Sequence, residues 1–409
     1  MAQYFRATDT LHTITKRFPE TVAVFVSNGF PQMDDAAQRE QFGKMINLDA
    51  ALKMKDLNPQ TFISLLDEVI TAERNGADAT LATPQKKDES GLNVVGLLPC
   101  PVRIPLLEQY NAFAEETGLD GVNTELKAAS VGTQWVADNL NGITESKELP
   151  DLFISAGFDL FFDLEKIGRF REEGIFQDLV NYDRENALFA GRNLQDPSGN
   201  YSIISVVPAV FLVNTAELGE REVPRSWADL LKPEWERSVS LPVGDFDLFN
   251  AILLNIHDLY GDEGVRKLGR SMLLAQHPAQ MIKSNRLKQQ RPAITIMPYF
   301  FTKTARPGGT MEAIWPEDGA IISPIFMLAK KERAKELQPV VDFFASKPVG
   351  EILSHNGLFP SLHPEVDNNL PDRAPMMWLG WDKILNTDLS AEIARCEALF
   401  NSTVSGGAV

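Results

Sequence analysis

Asn93-Val94-Val95-Gly96-Leu97-Leu98, followed by a stretch carrying Val102, Leu106, Tyr110 and Phe113, is the segment on which the fold turns. Its first part is a short, unbroken apolar run, the pattern of a parallel strand buried on both faces. Its second part repeats apolar residues at spacings of 4, 4 and 3, which places them on one helical stripe. A buried strand that leads into an amphipathic helix is the repeating unit of an α/β domain. Downstream, similar strands are expected at 124–128, 152–154, 202–205 with 210–213, 239–241, 293–297 and 320–328, most of them separated by helical stretches. The class is α/β.

Upstream of this segment the texture is different. Thr8-Asp9-Thr10 offers N-caps to a helix bearing Leu11, Ile14 and Phe18. A second helix starts at Pro19-Glu20-Thr21, carries Val22, Val24 and Phe25, and stops at Asn28-Gly29, a left-handed C-terminal signal. A third begins near Asn47-Leu48-Asp49. A fourth follows Asn58-Pro59 with Phe62, Leu65, Leu66 and Val69. Residues 76–91 are polar and aperiodic, as expected of a linker. The domain division is therefore 1–75 helical, 76–91 linker and 92–409 α/β.

The 409 residues suggest two or three domains, and 44% hydrophobic with 23% charged residues is ordinary globular composition. Lys+Arg 39 against Asp+Glu 56 gives −17, a charge that repels a phosphate backbone, so nucleic acid is not an expected partner. The densest basic run, Lys283-Ser284-Asn285-Arg286-Leu287-Lys288, reads as a solvated helix face. Two cysteines, Cys100 and Cys396, build neither a disulfide framework nor a Cys-based zinc site. Val22-Ala23-Val24-Phe25-Val26 is too short for a secretion signal or a membrane span. Membrane insertion is not expected. A cytoplasmic location follows if Met1 is the natural start, and a periplasmic one if a leader has been removed.

Local catalytic signatures are missing: the sequence has no dinucleotide fingerprint, Walker loop, His-Glu-x-x-His, Gly-x-Ser-x-Gly or Ser-x-x-Lys. His355 and His363 share a loop region without a carboxylate cluster, so no metal site, no cofactor and no enzyme activity are expected.

Four motifs carry a resemblance. They are Phe113-Ala114-Glu115-Glu116-Thr117-Gly118, Leu149-Pro150-Asp151-Leu152-Phe153-Ile154-Ser155, Val223-Pro224-Arg225-Ser226-Trp227-Ala228-Asp229-Leu230-Leu231-Lys232-Pro233-Glu234-Trp235, and Trp315-Pro316-Glu317-Asp318-Gly319-Ala320. Together they make residues 93–367 resemble a type II periplasmic-type solute-binding protein, in the ferric-iron and polyamine-like branch of ABC importer receptors. The resemblance implies two α/β lobes, lobe one at about 92–205 and 323–409 and lobe two at about 206–322. Crossing segments are then expected near 206–214 and 322–328, with the ligand held in the cleft.

Five loops fall where the resemblance puts the ligand. Pro99, Cys100 and Arg103 follow the first strand; Ser130, Gly132, Thr133 and Gln134 form the second loop; Ser155 and Gly157 follow the third strand. Asp245 and Phe246, then Tyr299 and Phe300, come from lobe two. Such loops offer free backbone N–H groups and the positive ends of helix dipoles, which suits an anion. Arg103 at a helix start supports the same reading. Ferric-binding relatives use neighbouring tyrosines in lobe two, whereas Tyr299 is followed by Phe300 and Phe301, which removes one expected ligand.

The front domain resembles a small helical domain of unknown function found alone or with redox-linked proteins of anaerobes, on Thr8-Asp9-Thr10-Leu11, Phe18-Pro19-Glu20, Val24-Phe25 and Gly29-Phe30. Phe30-Pro31-Gln32-Met33 lacks the Cys-x-x-Cys of many members, so a docking role toward a protein partner is expected. The first functional expectation is non-catalytic binding of a small, anionic solute by an intracellular sensor or carrier. One alternative is an ABC-importer receptor that works with a permease. Another is an enzyme on this fold, similar to a pyrimidine-precursor synthase, with Cys100 as its loop thiol.

Overall fold

The computed structural model describes residues 4–27, 29–55, 57, 59, 62–63, 66–67, 70, 91–98, 102–119, 121–128, 142–156, 161–164, 166–243, 246–275, 291–304 and 309–404. The chain forms two compact units, Met1–Gly142 and Ile143–Val409.

In the first unit, helix α1 (Leu11–Arg17) starts where the Thr10 hydroxyl accepts from the Thr13 N–H at 3.2 Å. Helix α2 (Thr21–Ser27) is followed by Gly29 at φ 92°, the left-handed turn expected after it. Helix α3 (Ala36–Met45) is capped by Asp35 on Gln38 N–H at 2.8 Å, and α4 (Leu48–Met54) by Asn47 on Ala50 N–H at 2.8 Å. Leu11, Ile14, Phe18, Phe25, Phe30, Leu48, Leu52, Phe62 and Leu66 are buried in one cluster. The Phe25 ring lies 5.4 Å from that of Phe62 and 5.9 Å from that of Phe30, close enough for tilted and edge-on contacts. Gly43 is where α3 meets α1; a Cβ there would stand 3.0 Å from the His12 nitrogen.

Strand β1 (Leu92–Leu98), helix α5 (Arg103–Thr117) and strand β2 (Val122–Ala128) follow as a βαβ unit, with β1 and β2 parallel from Leu92↔Val122 to Leu98↔Ala128. Helix α5 buries Ile104, Leu106 and Tyr110 and ends at Gly118, φ 62°. Ile104 belongs to the same buried cluster as the front helices, so the apolar core of the helical part continues into the first βαβ unit.

The second unit comprises β3 (Leu152–Ala156), α6 (Ile167–Glu172), β4 (Phe176–Gln177), β5 (Tyr201–Asn214), α7 (Trp227–Leu230), β6 (Val239–Leu241), α8 (Phe246–Ser271), β7 (Met272–Ala275), β8 (Ile294–Pro298), β9 (Met311–Ile314), β10 (Ala320–Lys330), α9 (Ala334–Phe344), α10 (Lys347–Glu351), β11 (Met376–Met377), α11 (Trp381–Asn386) and α12 (Leu389–Asn401). Its strands run in the order β3-β10-β5-β8-β6-β7, with β4 and β11 beside β10 and β9 beside β5. The sheet is mixed: β6 pairs in parallel with β7 and β8, whereas β5 and β10 are antiparallel partners.

Strand β5 organises this unit. Two short strands are expected there, at 202–205 and 210–213; the structure has a single strand of 14 residues that runs through Pro208. It pairs with β10 from Tyr201 to Ala209 and with β8 and β9 from Ala209 to Asn214. Pro208 stands opposite Ile322, and Pro324 of β10 stands opposite Val206. The Val206 N–H donates to Pro360 and the Leu362 N–H to Ile204, at 3.0 and 2.9 Å, so a third segment lines the crossing. Helix α8 is interrupted at Gly261 (φ 62°, ψ −165°), a conformation in practice restricted to glycine, and α12 packs against it.

The motif 223–235 folds as a compact corner. The Ser226 hydroxyl caps α7 on the Asp229 N–H at 3.0 Å, and Trp227 is fully buried. Trp227 N–H donates to Asp318 Oδ2 at 2.9 Å, and its indole N–H to the Gly319 carbonyl at 2.9 Å. Two motifs some ninety positions apart in sequence are thereby one packing unit.

Candidate ligand-binding site

The described part of the candidate site lies along the β5–β10 crossing and at the end of β8. Ser155, one residue before the end of β3, is almost fully buried, with its hydroxyl donating to the Ala156 carbonyl at 3.0 Å. Across the crossing, the Ser205 hydroxyl reaches the Phe359 and Pro360 carbonyls at 3.0 and 2.9 Å. Asn368 holds Ser361 from both sides, its carbonyl accepting from the Ser361 N–H at 2.7 Å and its amide donating back at 3.0 Å. The hydroxyls of Ser323 on β10 and of Ser354 are buried with no hydrogen-bond partner among the described residues. A buried hydroxyl without a partner is uncommon.

Past β8, residues 299–304 form a 3₁₀ turn. Tyr299 packs edge-on against Trp315 with ring centres 5.1 Å apart, and burial pushes its phenol above the usual tyrosine range. Phe300 sits edge-on to Phe301 at 5.2 Å. Lys303, three residues on, lies 5.4 Å from the Phe300 ring centre and donates to the His355 and Asn356 carbonyls at 3.1 and 3.0 Å. Lys303 is exposed as a residue, and the partial desolvation of its ammonium by the surrounding chain holds it below the ordinary lysine range. Lys303 is a candidate the sequence reading passed over. The three-residue repeat of a 3₁₀ turn, which stacks 300 on 303, is the signal that would have found it.

Of the residues expected at the site, Ser155, Tyr299 and Phe300 are described in the second unit, and Phe246 opens α8 with its side chain outside the description. Pro99, Cys100, Ser130, Gly132, Thr133, Gln134, Gly157 and Asp245 lie outside the described residues. Arg103 is 2% exposed, and its guanidinium donates to the Leu126 carbonyl of β2 at 3.2 Å, which ties α5 to the neighbouring strand. His355 and His363 are engaged with backbone. His355 Nε2 is 2.7 Å from the Asp367 carbonyl, and His363 Nδ1 accepts from the Glu365 N–H at 3.2 Å.

The sequence profile of bacterial extracellular solute-binding proteins matches residues 147–387, more than half of the chain. The chain belongs to this family. A second profile, that of a domain of unknown function (DUF1858), matches residues 6–63, the helical front part. Among solved structures, a ferric binding protein from Campylobacter jejuni is 13% identical and covers 76% of this chain and 99% of its own, with a TM-score of 0.53. The substrate binding protein of an ABC transporter from Agrobacterium tumefaciens is 15% identical, covering 78% and 95%, with a TM-score of 0.52. AfuA from Actinobacillus pleuropneumoniae, solved with exogenous fructose-6-phosphate bound, is 15% identical, covering 77% and 98%, with a TM-score of 0.52. At these identities the likeness establishes the fold, the two-lobed architecture of solute-binding proteins. No curated protein matches the chain. The family it belongs to is one of solute-binding proteins, and no helix among its described residues is long and apolar enough to cross a membrane.

Proposed function

We propose that this solute-binding protein captures a small anionic solute in the cleft crossed by β5 and β10, without transforming it chemically. The observation that carries the reading is Lys303. An ammonium has three donors, and two of these are spent on the His355 and Asn356 carbonyls. The third N–H, on a partly desolvated cation beside Phe300, supplies both charge and direction for an oxyanion. Ser323 and Ser354 add buried hydroxyls to the same unit. AfuA, with fructose-6-phosphate bound, is a case in which this fold accommodates a sugar phosphate, and it supports an anion as the solute here. Phe300 and Phe301 follow Tyr299 where ferric-type sites place phenols, which disfavours a ferric ion here.

Two settings suit such a protein: a receptor that hands its solute to an ABC permease, and a carrier or sensor inside the cell. The family favours the first. The helical front part serves in either setting as the docking module for a protein partner.

Native mass spectrometry of the freshly purified full chain, followed by calorimetry against phosphate, sulfate, sugar phosphates, carboxylates, polyamines and ferric ion, tests the reading. Selective binding of at least one anion, recovered unchanged after prolonged incubation, is expected. Binding of polyamines alone, or conversion of the bound solute, would overturn it.

A further inference from the structure

Away from the crossing, α8 and α12 bring together three residues far apart in sequence. Glu392 and Cys396 are four residues apart on α12, one turn, and so share a face. His257 meets them from α8, its Nδ1 2.7 Å from Glu392 Oε1. The donor atoms of His257, Glu392 and Cys396 all lie within 4.8 Å of one another. Cys396 is fully buried, while His257 and Glu392 are about one-fifth exposed, so the cluster opens to solvent on one side only. We propose that His257, Glu392 and Cys396 form a divalent-metal site for a borderline-soft cation such as Zn²⁺, bound through imidazole nitrogen, carboxylate oxygen and thiolate sulfur.

Four features support it. Nitrogen, oxygen and sulfur donors together suit zinc, and three protein ligands leave a fourth position for water on the exposed side. The far nitrogen of the imidazole, Nε2, is 3.1 Å from Asp262 Oδ1, a carboxylate placed to accept the ring proton once Nδ1 gives its lone pair to the ion and that proton moves to Nε2. Asp262 reaches that position because the helix breaks at Gly261; five residues on in a continuous helix, it would be turned away from His257.

Charge also closes. A neutral imidazole with one carboxylate and one thiolate cancels a divalent ion. Arg395 donates to the His257 ring at Nε2 in the metal-free cluster, a contact released when Nε2 takes the ring proton; it keeps its bonds to Asp262 at 2.7 Å and to Glu392 Oε2 at 3.2 Å, and Asp262 balances its charge. Binding deprotonates the Cys396 thiol: the S–H bond breaks, the proton goes to solvent, and the sulfur lone pair binds the metal. Glu392 turns Oε1 to the ion and keeps Oε2 on Arg395. Metal ligands bind at about 2.0–2.3 Å, so the donors, within 4.8 Å of one another, draw inward on binding.

The test uses the full chain, reduced and freed of metal by chelation, titrated with Co²⁺ alone and then with Zn²⁺. A near-ultraviolet cobalt–thiolate band that saturates at one equivalent and is displaced by Zn²⁺ is expected. Cys396→Ser should abolish the band. Asp262→Asn should keep the band and weaken Zn²⁺ about 10–100-fold. Absence of the band in the unmutated chain, or its survival in Cys396→Ser, would overturn the site. Should Cys396→Ser fail to fold by circular dichroism, Glu392→Gln carries the test, and unchanged metal affinity in that variant overturns the assignment.

Discussion

Lys330 and Asp151 form an ion pair inside the protein: Nζ lies 3.4 Å from Oδ1, and both side chains are more than nine-tenths buried. The Lys330 N–H also donates to the Asp151 carbonyl at 2.9 Å, so the pair closes the end of β10 onto the start of β3. Removing Asp151 takes away the carboxylate that faces the buried Lys330 ammonium. Asp151→Ala should therefore cost about 3–5 kcal/mol, whereas the double change Asp151→Leu with Lys330→Met should be close to neutral. Urea titrations of the three proteins measure this, and a cost for Asp151→Ala well below that range would show that Lys330 finds another partner.

Gly319 is the corner on which Trp227 hangs. Its φ is +120°, and a Cβ there would sit 2.9 Å from the Met376 carbonyl carbon. Gly319→Ala combines a strained backbone, of order 1–3 kcal/mol, with a clash against main chain that cannot move cheaply. The denaturation midpoint should fall, and tryptophan fluorescence should report a loosened Trp227. An unshifted midpoint would mean the corner yields.

Lys303→Met keeps the aliphatic stem over Phe300 and deletes the charge. If Lys303 contacts an anion, affinity should fall at least tenfold, about 1.4 kcal/mol, with the circular dichroism spectrum unchanged. Lys303→Arg should restore part of the loss. Calorimetry with whichever anion the unmutated protein binds decides it, and equal affinities in all three proteins would remove Lys303 from the site.

His363 gives stability a pH dependence of defined sign. Burial lowers its pKa, helped by the Lys347 charge and opposed by Glu365, Asp183 and Glu351. The unfolded chain therefore takes up the proton more readily than the folded one. The contribution is nil well above the ordinary histidine value of about 6.5 and becomes a penalty as pH falls through that value to the lower folded one. Melting temperatures of the unmutated protein and His363→Gln, compared between about pH 7.5 and about pH 5, should show the shallower slope in the variant. Parallel slopes would place the proton uptake elsewhere.

What the sequence made legible tracks where one local pattern dominates. The run at 239–241 and the strand from 320 onward were found because each is buried on both faces, and α4 because Asn47 caps it. Helix α3 was missed: Gly43 is its one buried residue, and capping and propensity hold it rather than an apolar stripe. The two-residue strands β4 and β11 carry no period at all; they exist because β10 lies beside them. At the candidate site, Tyr299 and Phe300 could be named from their place after a strand. Arg103 could be named but not oriented, since which way a helix-start arginine turns depends on Leu126, more than twenty residues later. The cluster on α8 and α12 spans well over a hundred residues and leaves no local trace.

The prolines of the crossing bear on mechanics. Pro208 and Pro324 stand within two rungs of each other on neighbouring strands, and each lacks an N–H on the outer side of the β5–β10 pair, the side on which Val206 reaches Pro360, so the missing bonds are those to the flanking segments. A ribbon cross-linked less densely at one level is most compliant at that level. Flexure of β5 and β10 should concentrate there, in a joint made of strand rather than loop, with a small arc and a quick return. Compliance of that kind is adjustable without altering a proposed contact: Pro208→Val would stiffen the joint and slow solute exchange.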